Sequence, residues 1–384
     1  MFGSICILGR QPNLSIAELE SLFGGDKIKP ISNYASLVDL QSNKVPFERL
    51  GGTIKLGKVL TEINSTDWQE ITKFLLGYMP DFVAREQSGK IKFGISVYGL
   101  NANIKAINVT ALEIKKAIKT KGRSMRVIPN KNKELNTAQV LHNKLTNELG
   151  IELLLIQHGT ITILAQTTNV QDIDAYAARD QKRPKRDARV GMLPPKLAQI
   201  ILNLSQAEKG DKLLDPFCGT GVLLQEALLM GCYIYGTDIE PRMIEYTRIN
   251  LNWLIGPAEL KLNVGDATNF KWSNFDVIAC ETYLGRPFSV EPRPDKLREV
   301  IQDVNTIHKK FLQNLAKQTK PEFRMCIAVP AWHTKTGVKH LPILDHLSDM
   351  GYTRESFVHA KTEKLIYHRD GQFVGRELVV LIRT

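Results

Sequence analysis

Long apolar stretches are missing from this sequence. No run approaches the roughly 18–20 residues that span a bilayer, and pieces such as Ile151 to Ile156 are broken by Glu152. The opening segment, Met1 to Arg10, is apolar but short. It has no basic stretch, and it passes into a helix start at Asn13-Leu14-Ser15 rather than into a small-residue cleavage site. A cytoplasmic protein with no membrane attachment is the expectation. Cysteine is sparse: Cys6, Cys218, Cys232, Cys280 and Cys326 are scattered, and no pair has the CxxC spacing of a zinc site or redox dithiol. The eight histidines make no ligand pattern either, so no metal is assigned. A Gly-Lys-Ser/Thr phosphate loop is absent, which excludes a P-loop nucleotidase.

What is present is a globular balance of 43% hydrophobic and 24% charged residues over 384 positions, enough for two or three domains with buried cores. Charge is unevenly spread. Residues 1–190 hold 27 Lys+Arg against 18 Asp+Glu, whereas residues 191–384 hold 24 against 22, so most of the net +11 sits in the front half. Residues 101–150 alone carry 10 basic against 3 acidic residues. Lys115, Lys116, Lys119, Arg123, Arg126 and Lys144 are therefore candidate contacts to a polyanion, with a merely solvated basic helix as the alternative.

Along the chain, residues 3–8 read as a strand, followed by a helix from Ser15 to the stop at Gly24-Gly25, then strands over 35–40 and 52–60. A second α+β unit starts near Asp67. It has a helix through Leu76, a strand at Ile91 to Tyr98, a basic helix at Asn108 to Lys119, a strand at Ser124 to Ile128, a helix at Asn136 to Leu149, and a hairpin of Ile151 to Gln157 with Thr160 to Gln166. Residues 179–196 carry seven basic residues, three prolines and one glycine and read as a linker, in which Arg183 and Arg186 could lie against nucleic acid. From Leu197 the pattern becomes regular βα alternation. It includes helices at Arg242 to Leu254, Pro294 to Ala316 and Pro342 to Met350, and a terminal strand pair at Glu355 to Tyr367 and Glu377 to Ile382. Such alternation predicts an α/β fold with a Rossmann-like, doubly wound sheet.

The strongest local signal is Asp215-Pro216-Phe217-Cys218-Gly219-Thr220-Gly221, between an apolar strand and a helix. Glycines there let backbone approach a ligand, and a carboxylate ahead of them suits the ammonium of an amino acid while repelling a pyrophosphate. The next strand ends at Gly236-Thr237-Asp238-Ile239, where Asp238 can accept both ribose hydroxyls. The strand after it is followed by Gly265-Asp266-Ala267, whose Asp266 can accept from an adenine amine. Three carboxylates at three successive strand tips form one nucleoside-and-amino-acid site.

These three motifs resemble those of class I S-adenosylmethionine-dependent methyltransferases. The segment Arg179 to Leu204 and the run Phe373-Val374-Gly375-Arg376-Glu377 resemble the THUMP-domain tRNA guanine-N2 methyltransferases that modify the guanosine at position ten. The resemblance implies S-adenosyl-L-methionine as cofactor, with Asp215, Phe217, Gly219, Thr220 and Gly221 at its methionine end, Asp238 and Ile239 at the ribose, and Asp266 and Ala267 at the adenine. It also implies a ferredoxin-like leader over 1–65, a THUMP RNA-binding domain over 66–175, a basic linker over 176–196 and a methyltransferase domain over 197–384. Its substrate would be tRNA or another structured RNA. A monomer is expected, although some eukaryotic members of the family work with a small protein partner.

One departure stands out. Where the family carries Asp-Pro-Pro-Tyr or Asn-Pro-Pro-Tyr after the fourth strand, this chain has Glu281-Thr282-Tyr283-Leu284. Glu281 can still accept from an exocyclic amine and Tyr283 can still stack on a base, but the rigid Pro-Pro turn is gone and the carboxylate is one methylene longer. Three readings stay open: an altered amine pocket with Glu281 and Tyr283 as catalytic residues, a pocket for another atom or base in tRNA or ribosomal RNA, or a non-catalytic protein that binds cofactor and RNA. A DNA amine methyltransferase is a further alternative that leaves the front half without a role. Arg286 and Arg293 are candidate phosphate contacts in a proline-rich loop, and His333 is the histidine nearest the expected active face.

Overall fold

The computed structural model describes residues 2–84, 89–187, 192–286, 288 and 291–384. The chain divides into two compact units. One holds residues 1–12, 26–48 and 53–174, and the other holds residues 13–25, 49–52 and 175–384.

The first unit is built on one eight-stranded sheet. Its strands are β1 (Ser4–Leu8), β2 (Ile28–Ser32), β3 (Ala35–Val38), β4 (Thr53–Ile63), β5 (Ile91–Tyr98), β6 (Met125–Val127), β7 (Gly150–His158) and β8 (Ile161–Val170), in the order β2-β3-β1-β4-β8-β7-β5-β6. The sheet runs without a break across residue 65, where the sequence divides leader from second domain, because β4 pairs with β1 on one side and β8 on the other. Strand β7 shows why its sequence is nearly all apolar. Alternate side chains enter opposite faces, with Leu153 and Leu155 in the core under the helices and Leu154 and Ile156 in the core of the other face. Helix α2 (Trp68–Ala84) lays Ile71, Leu75 and Met79 on the first of these cores, and α3 (Ile104–Thr120) adds Ile107, Ala111, Ile114 and Ile118. Between these strands Glu152 is fully buried, and Lys55, 1% exposed, pairs with its Oε1 at 2.5 Å. Ser96 and Thr167 donate to its two oxygens at 2.5 and 2.6 Å.

The long helix expected at Asn136 to Leu149 is only α4, Thr137–His142, started by a capping box of Asn136 and Gln139. It stops because Lys144 turns to φ 56° and redirects the chain into β7. Helix α5 (Ile173–Gln181) reaches into the segment expected to be a linker, of which residues 188–191 lie outside the described residues.

The second unit has the expected Rossmann-like sheet. Strands β9 (Lys212–Asp215), β10 (Tyr233–Asp238), β11 (Lys261–Val264), β12 (Val277–Glu281), β13 (Arg324–Thr334), β15 (Tyr352–Arg354) and β17 (Val374–Arg383) lie in the order β11-β10-β9-β12-β13-β17-β15, with β14 (Gly337–Lys339) on β13 and β16 (Ile366–Tyr367) on β17. The first five are parallel, and β17 runs antiparallel to β13. The helices are α6 (Pro195–Leu204), α7 (Val222–Leu229), α8 (Pro241–Ile255) and α9 (Pro294–Ala316). Helix α1 (Pro12–Phe23) joins this unit through all but its first residue. Its Glu18 accepts from the backbone N–H groups of Gly51 and Gly52 and from Asn203 Nδ2 of α6, at 2.7–2.8 Å.

Two C-terminal expectations are corrected. Pro342 to Met350 forms two 3-10 turns rather than a helix, since a segment this short, ended by Gly351 at φ 78°, offers too few residues to propagate one. Glu355 to Tyr367 is not a continuous strand; the strands at this segment are β15, just before it, and β16, at its end, each paired with β17. Among the described residues, no helix is long and apolar enough to cross a membrane.

Candidate active site

Four carboxylates stand along one edge of the second sheet. Strand β9 ends at Asp215, β10 at Asp238 and β12 at Glu281, and Asp266 follows the end of β11 by two residues. Register sets the tips near one another: Asp215 lies beside Gly236, two residues short of Asp238, while Asp238 lies beside Val264 and Glu281 beside Ala328. Because the chain leaves β9 toward β10 on one side while β12 lies on the other, the carboxyl edge at β9 is the crevice where open α/β sheets take ligands.

Asp215 is 2% exposed. The Phe217 N–H donates to its Oδ1 at 3.1 Å, and its carboxylate has no second hydrogen bond among the described residues. Burial pushes its pKa well up, and the nearby charges of Asp238 and Glu281 push the same way. A carboxyl group so placed gains from a cation set against it, which fits an amino-acid ammonium.

The turn after Asp215 is held from several sides. Gly219 has φ 51° and donates its N–H to Asp238 Oδ2 at 2.9 Å, while Asp238 Oδ1 accepts from the Glu240 N–H at 2.9 Å. Each of these oxygens keeps a further lone pair, so both remain available to a ribose diol. Burial raises the pKa of Asp238, and the two backbone donors oppose that rise. Gly221, at φ 82°, caps α7, and a Cβ there would come within 2.9 Å of the Thr247 side chain. Thr247 donates to the Gly219 carbonyl at 2.8 Å, and Asn250 Nδ2 donates to the carbonyls of Thr220 and Lys185, both at 2.9 Å. These two α8 residues are fully buried, and sequence reasoning passes over them. Their only signal is a Thr and an Asn three apart on the inward face of an otherwise amphipathic helix.

Asp266 Oδ1 accepts from the Thr268 N–H at 2.8 Å, and Ala267, 4% exposed, accepts at its carbonyl from Asn314 at 3.0 Å. Ile239 beside Asp238 is 63% exposed, an apolar surface where β10 meets the crevice. Phe217 packs edge-on against Phe311 at 4.9 Å, so it supports the turn from the core side. The expected cofactor residues thus stand on one sheet edge with acceptors in the order needed for an ammonium, a ribose and an adenine amine.

The departure at residues 281–284 has its own supports. Arg376 Nε, from β17, donates to Glu281 Oε1; the two side chains are 6% and 15% exposed. Burial raises the pKa of Glu281 and the Arg376 charge opposes it. Thr282, 3% exposed, donates its backbone N–H to the Ala328 carbonyl at 3.0 Å, and its hydroxyl lies 2.6 Å from His308 Nε2. Burial holds His308 neutral, its pKa pushed down to about 4. With Nδ1 2.8 Å from the Val304 carbonyl, which can only accept, the imidazole proton sits on Nδ1, and the single Thr282 hydroxyl proton is shared between Nε2 and the Ala328 carbonyl, 2.9 Å away. Tyr283 is 41% exposed beside this clamped pair.

The remaining candidates divide. Lys115, Lys116 and Lys119 are exposed on α3, opposite its core stripe, and Arg126, Lys144 and Arg186 are also exposed. Arg123 is half-buried and donates to the Val83 carbonyl at 3.3 Å. Arg183 is 3% exposed, which sets it apart from the open basic residues of its segment. Arg286 and Arg293 are exposed in a loop of which residues 287, 289 and 290 lie outside the described residues. His333 stacks on His368 at 3.5 Å, a packing arrangement on β13. Among the described residues, no group of three or more His, Cys, Asp or Glu could hold a metal ion.

Parts of the chain are similar to known proteins. Residues 183–337 match the RMKL-like methyltransferase domain, and residues 103–248 match a DNA methylase model. A tRNA (guanine(10)-N2)-dimethyltransferase of Methanothermobacter thermautotrophicus is 53% identical over 74 residues, 19% of this chain and 21% of that protein. One from Pyrococcus abyssi is 34% identical over 142 residues, 36% of this chain and 39% of that protein. The matches therefore span about a fifth to two fifths of these relatives' length. TrmN from Thermus thermophilus superposes with a TM-score of 0.54 at 14% identity over 99% of both chains, which shows a shared fold. Residues 183–337 thus match the RMKL-like methyltransferase domain, and shorter stretches of the chain are similar to tRNA (guanine(10)-N2)-dimethyltransferases.

Proposed function

We propose that the protein is an S-adenosylmethionine-dependent methyltransferase that methylates the exocyclic N2 amine of a guanosine in tRNA, at position ten by likeness to its relatives. The observation that carries the reading is the alignment of Asp215, Asp238, Asp266 and Glu281 along one sheet edge, with Glu281 close enough to Asp215 for their charges to interact. Bound S-adenosylmethionine supplies an electrophilic methyl group on a sulfonium. Asp215 would face its ammonium, Gly219 to Gly221 its methionine backbone, Asp238 the ribose and Asp266 with Ala267 the adenine.

The chain's task at the substrate is to hold a weak nucleophile still. Glu281 Oε2 would accept one N–H of the guanine amine and Tyr283 would stack on the base, which aims the nitrogen at the methyl group. Methyl transfer leaves one proton too many on that nitrogen, and Glu281 or water can take it. Positioning a base in this way requires it to leave its stack. The exposed Lys115, Lys116, Lys119, Arg126 and Lys144 of the first unit would grip RNA phosphates, and this unit is read as a ferredoxin-like leader with a THUMP module. A cytoplasmic monomer is proposed.

The experiment is incubation of the full chain with radiolabelled S-adenosylmethionine and undermodified tRNA, followed by nucleoside mass spectrometry. N2-methylguanosine or N2,N2-dimethylguanosine is the expected product. Labelling of another nucleoside, or none while both ligands bind, would overturn the reading.

A further inference from the structure

Glu281 is approached by Arg376 from two strands away. Strand β13 lies between β12 and β17, so the two backbones are separated by two strand spacings, about 9–10 Å. Register explains how the side chains meet. Glu281 lies beside Ala328, Ala328 beside Leu378 and Pro330 beside Arg376, so Glu281 and Arg376 share one face of the sheet at its carboxyl edge. The next residue, Glu377, faces the other way and pairs with Arg354 at 2.8 Å and His340 at 2.6 Å. Arg376 is thereby the cation on the site's face, and its Nε is committed to one oxygen of Glu281, Oε1.

A glutamate has one more rotatable bond than an aspartate, and alone it would sample several rotamers at a strand end. Here one oxygen is fixed by a guanidinium and the following residue is fixed by the Thr282–His308 hydrogen bond, so the second oxygen, Oε2, has a defined place. We propose that Arg376 is a positioning residue of the methyl-transfer site: by holding Glu281 Oε1 it fixes Oε2 as the single acceptor presented to the substrate's exocyclic amine. The assignment rests on the function proposed above. It also predicts that Arg376 acts only through Glu281 and touches neither cofactor nor RNA.

The test compares Arg376→Gln, Arg376→Lys, Glu281→Gln and the double variant Glu281→Gln/Arg376→Gln in the full chain. Turnover, KM for tRNA and cofactor affinity by calorimetry are measured for each. In parallel, binding is compared between tRNA with guanosine and tRNA with inosine at the modified position, which lacks the amine. R376Q is expected to lower kcat about 10- to 100-fold, to lose the binding preference for guanosine over inosine with tRNA affinity falling to that of the inosine tRNA, and to keep cofactor affinity within about twofold. R376K should recover part of both. The double variant should be no slower than E281Q, because removing a group that acts through Glu281 adds nothing once Glu281 is gone.

A wild-type protein that leaves guanosine unmethylated defeats the proposed function, and this inference with it. If the wild type does methylate, three results defeat the inference alone: R376Q with unchanged kcat, a double variant slowed by the product of the single effects, or R376Q that keeps the guanosine preference. Should R376Q lose cofactor binding through misfolding, the charge-neutral double variant and R376K decide the matter by the same criteria.

Discussion

Asp238 Oδ2 accepts the Gly219 N–H at 2.9 Å, so the side chain at the tip of β10 fixes the glycine turn at the tip of β9. The residue proposed to hold the ribose therefore also shapes the methionine end of the pocket. Asp238→Ala removes a ribose acceptor and leaves the Gly219 N–H without its partner. Removing charged hydrogen bonds of this kind costs about 1.5–3 kcal/mol. Calorimetry should show S-adenosylmethionine affinity falling by roughly 10- to 100-fold, with Asp238→Asn in between. Unchanged affinity would remove Asp238 from the site.

Inside the first unit, Lys55 and Glu152 form a buried ion pair at 2.5 Å with Leu135, Ser96 and Thr167 as further partners. Such a pair is costly to break on one side, since the remaining charge is left in the sheet without compensation, by about 3–5 kcal/mol. Lys55→Met should therefore lower the midpoint of the first unit's unfolding transition in urea. Lys55→Met/Glu152→Leu should regain much of that stability. Equal stability of the two variants would mean that the charges do not sense each other.

Much of the candidate site's arrangement is legible in the residues, for reasons that also explain the misses. Asp215 and Asp238 end strands, and Gly219, Gly221 and Asp266 lie in the turns that follow, positions that the βα alternation marks. Strand β5 and helix α9 follow the predicted bounds because long periodic runs leave little choice of partner face. Arg376 stands out only as part of a family-like run, and nothing local in Gly375-Arg376-Glu377 says that it meets Glu281 across β13. That fact lives in strand order, which periodicity does not encode. Thr282 and His308 are likewise 26 residues apart and joined only by packing. Helix α1 reads as part of a front domain because it lies near the start of the chain, yet Glu18 binds Asn203, 185 positions away.

The basic face of α3 makes a separate prediction. Lys115, Lys116 and Lys119 are exposed and lie opposite Ile107, Ala111, Ile114 and Ile118, so replacing them leaves the core alone. Lys115→Glu/Lys116→Glu/Lys119→Glu should weaken tRNA binding and reduce the slope of log affinity against log salt by roughly 1 for each phosphate that is no longer neutralised. Cofactor affinity should not move. A salt slope equal to that of the wild type would show that RNA does not use this face.

Glu18 gives the methyltransferase unit a pH dependence whose sign follows from its surroundings. Burial raises its pKa to about 7, although the Gly51 and Gly52 N–H groups and Asn203 partly oppose the shift. The folded-state value thus lies above the ordinary glutamate value of 4.5, so folding favours the protonated carboxyl. Its contribution is fully present below about pH 4.5 and is lost progressively as pH rises through 7, amounting to about 3 kcal/mol at most. Other buried acids, including Asp215 and Glu226, share this direction, so the wild-type curve alone does not isolate Glu18. The informative quantity is the difference in Tm between the wild type and Glu18→Gln, followed from about pH 5 to about pH 8 across the titration. Glu18→Gln should be the less stable protein at the acid end, where it lacks a well-fitted acceptor set, and the gap should narrow at the alkaline end as the wild-type carboxyl ionises. A gap that stays constant across this range would mean that Glu18 keeps one protonation state throughout and that the three donors outweigh its burial.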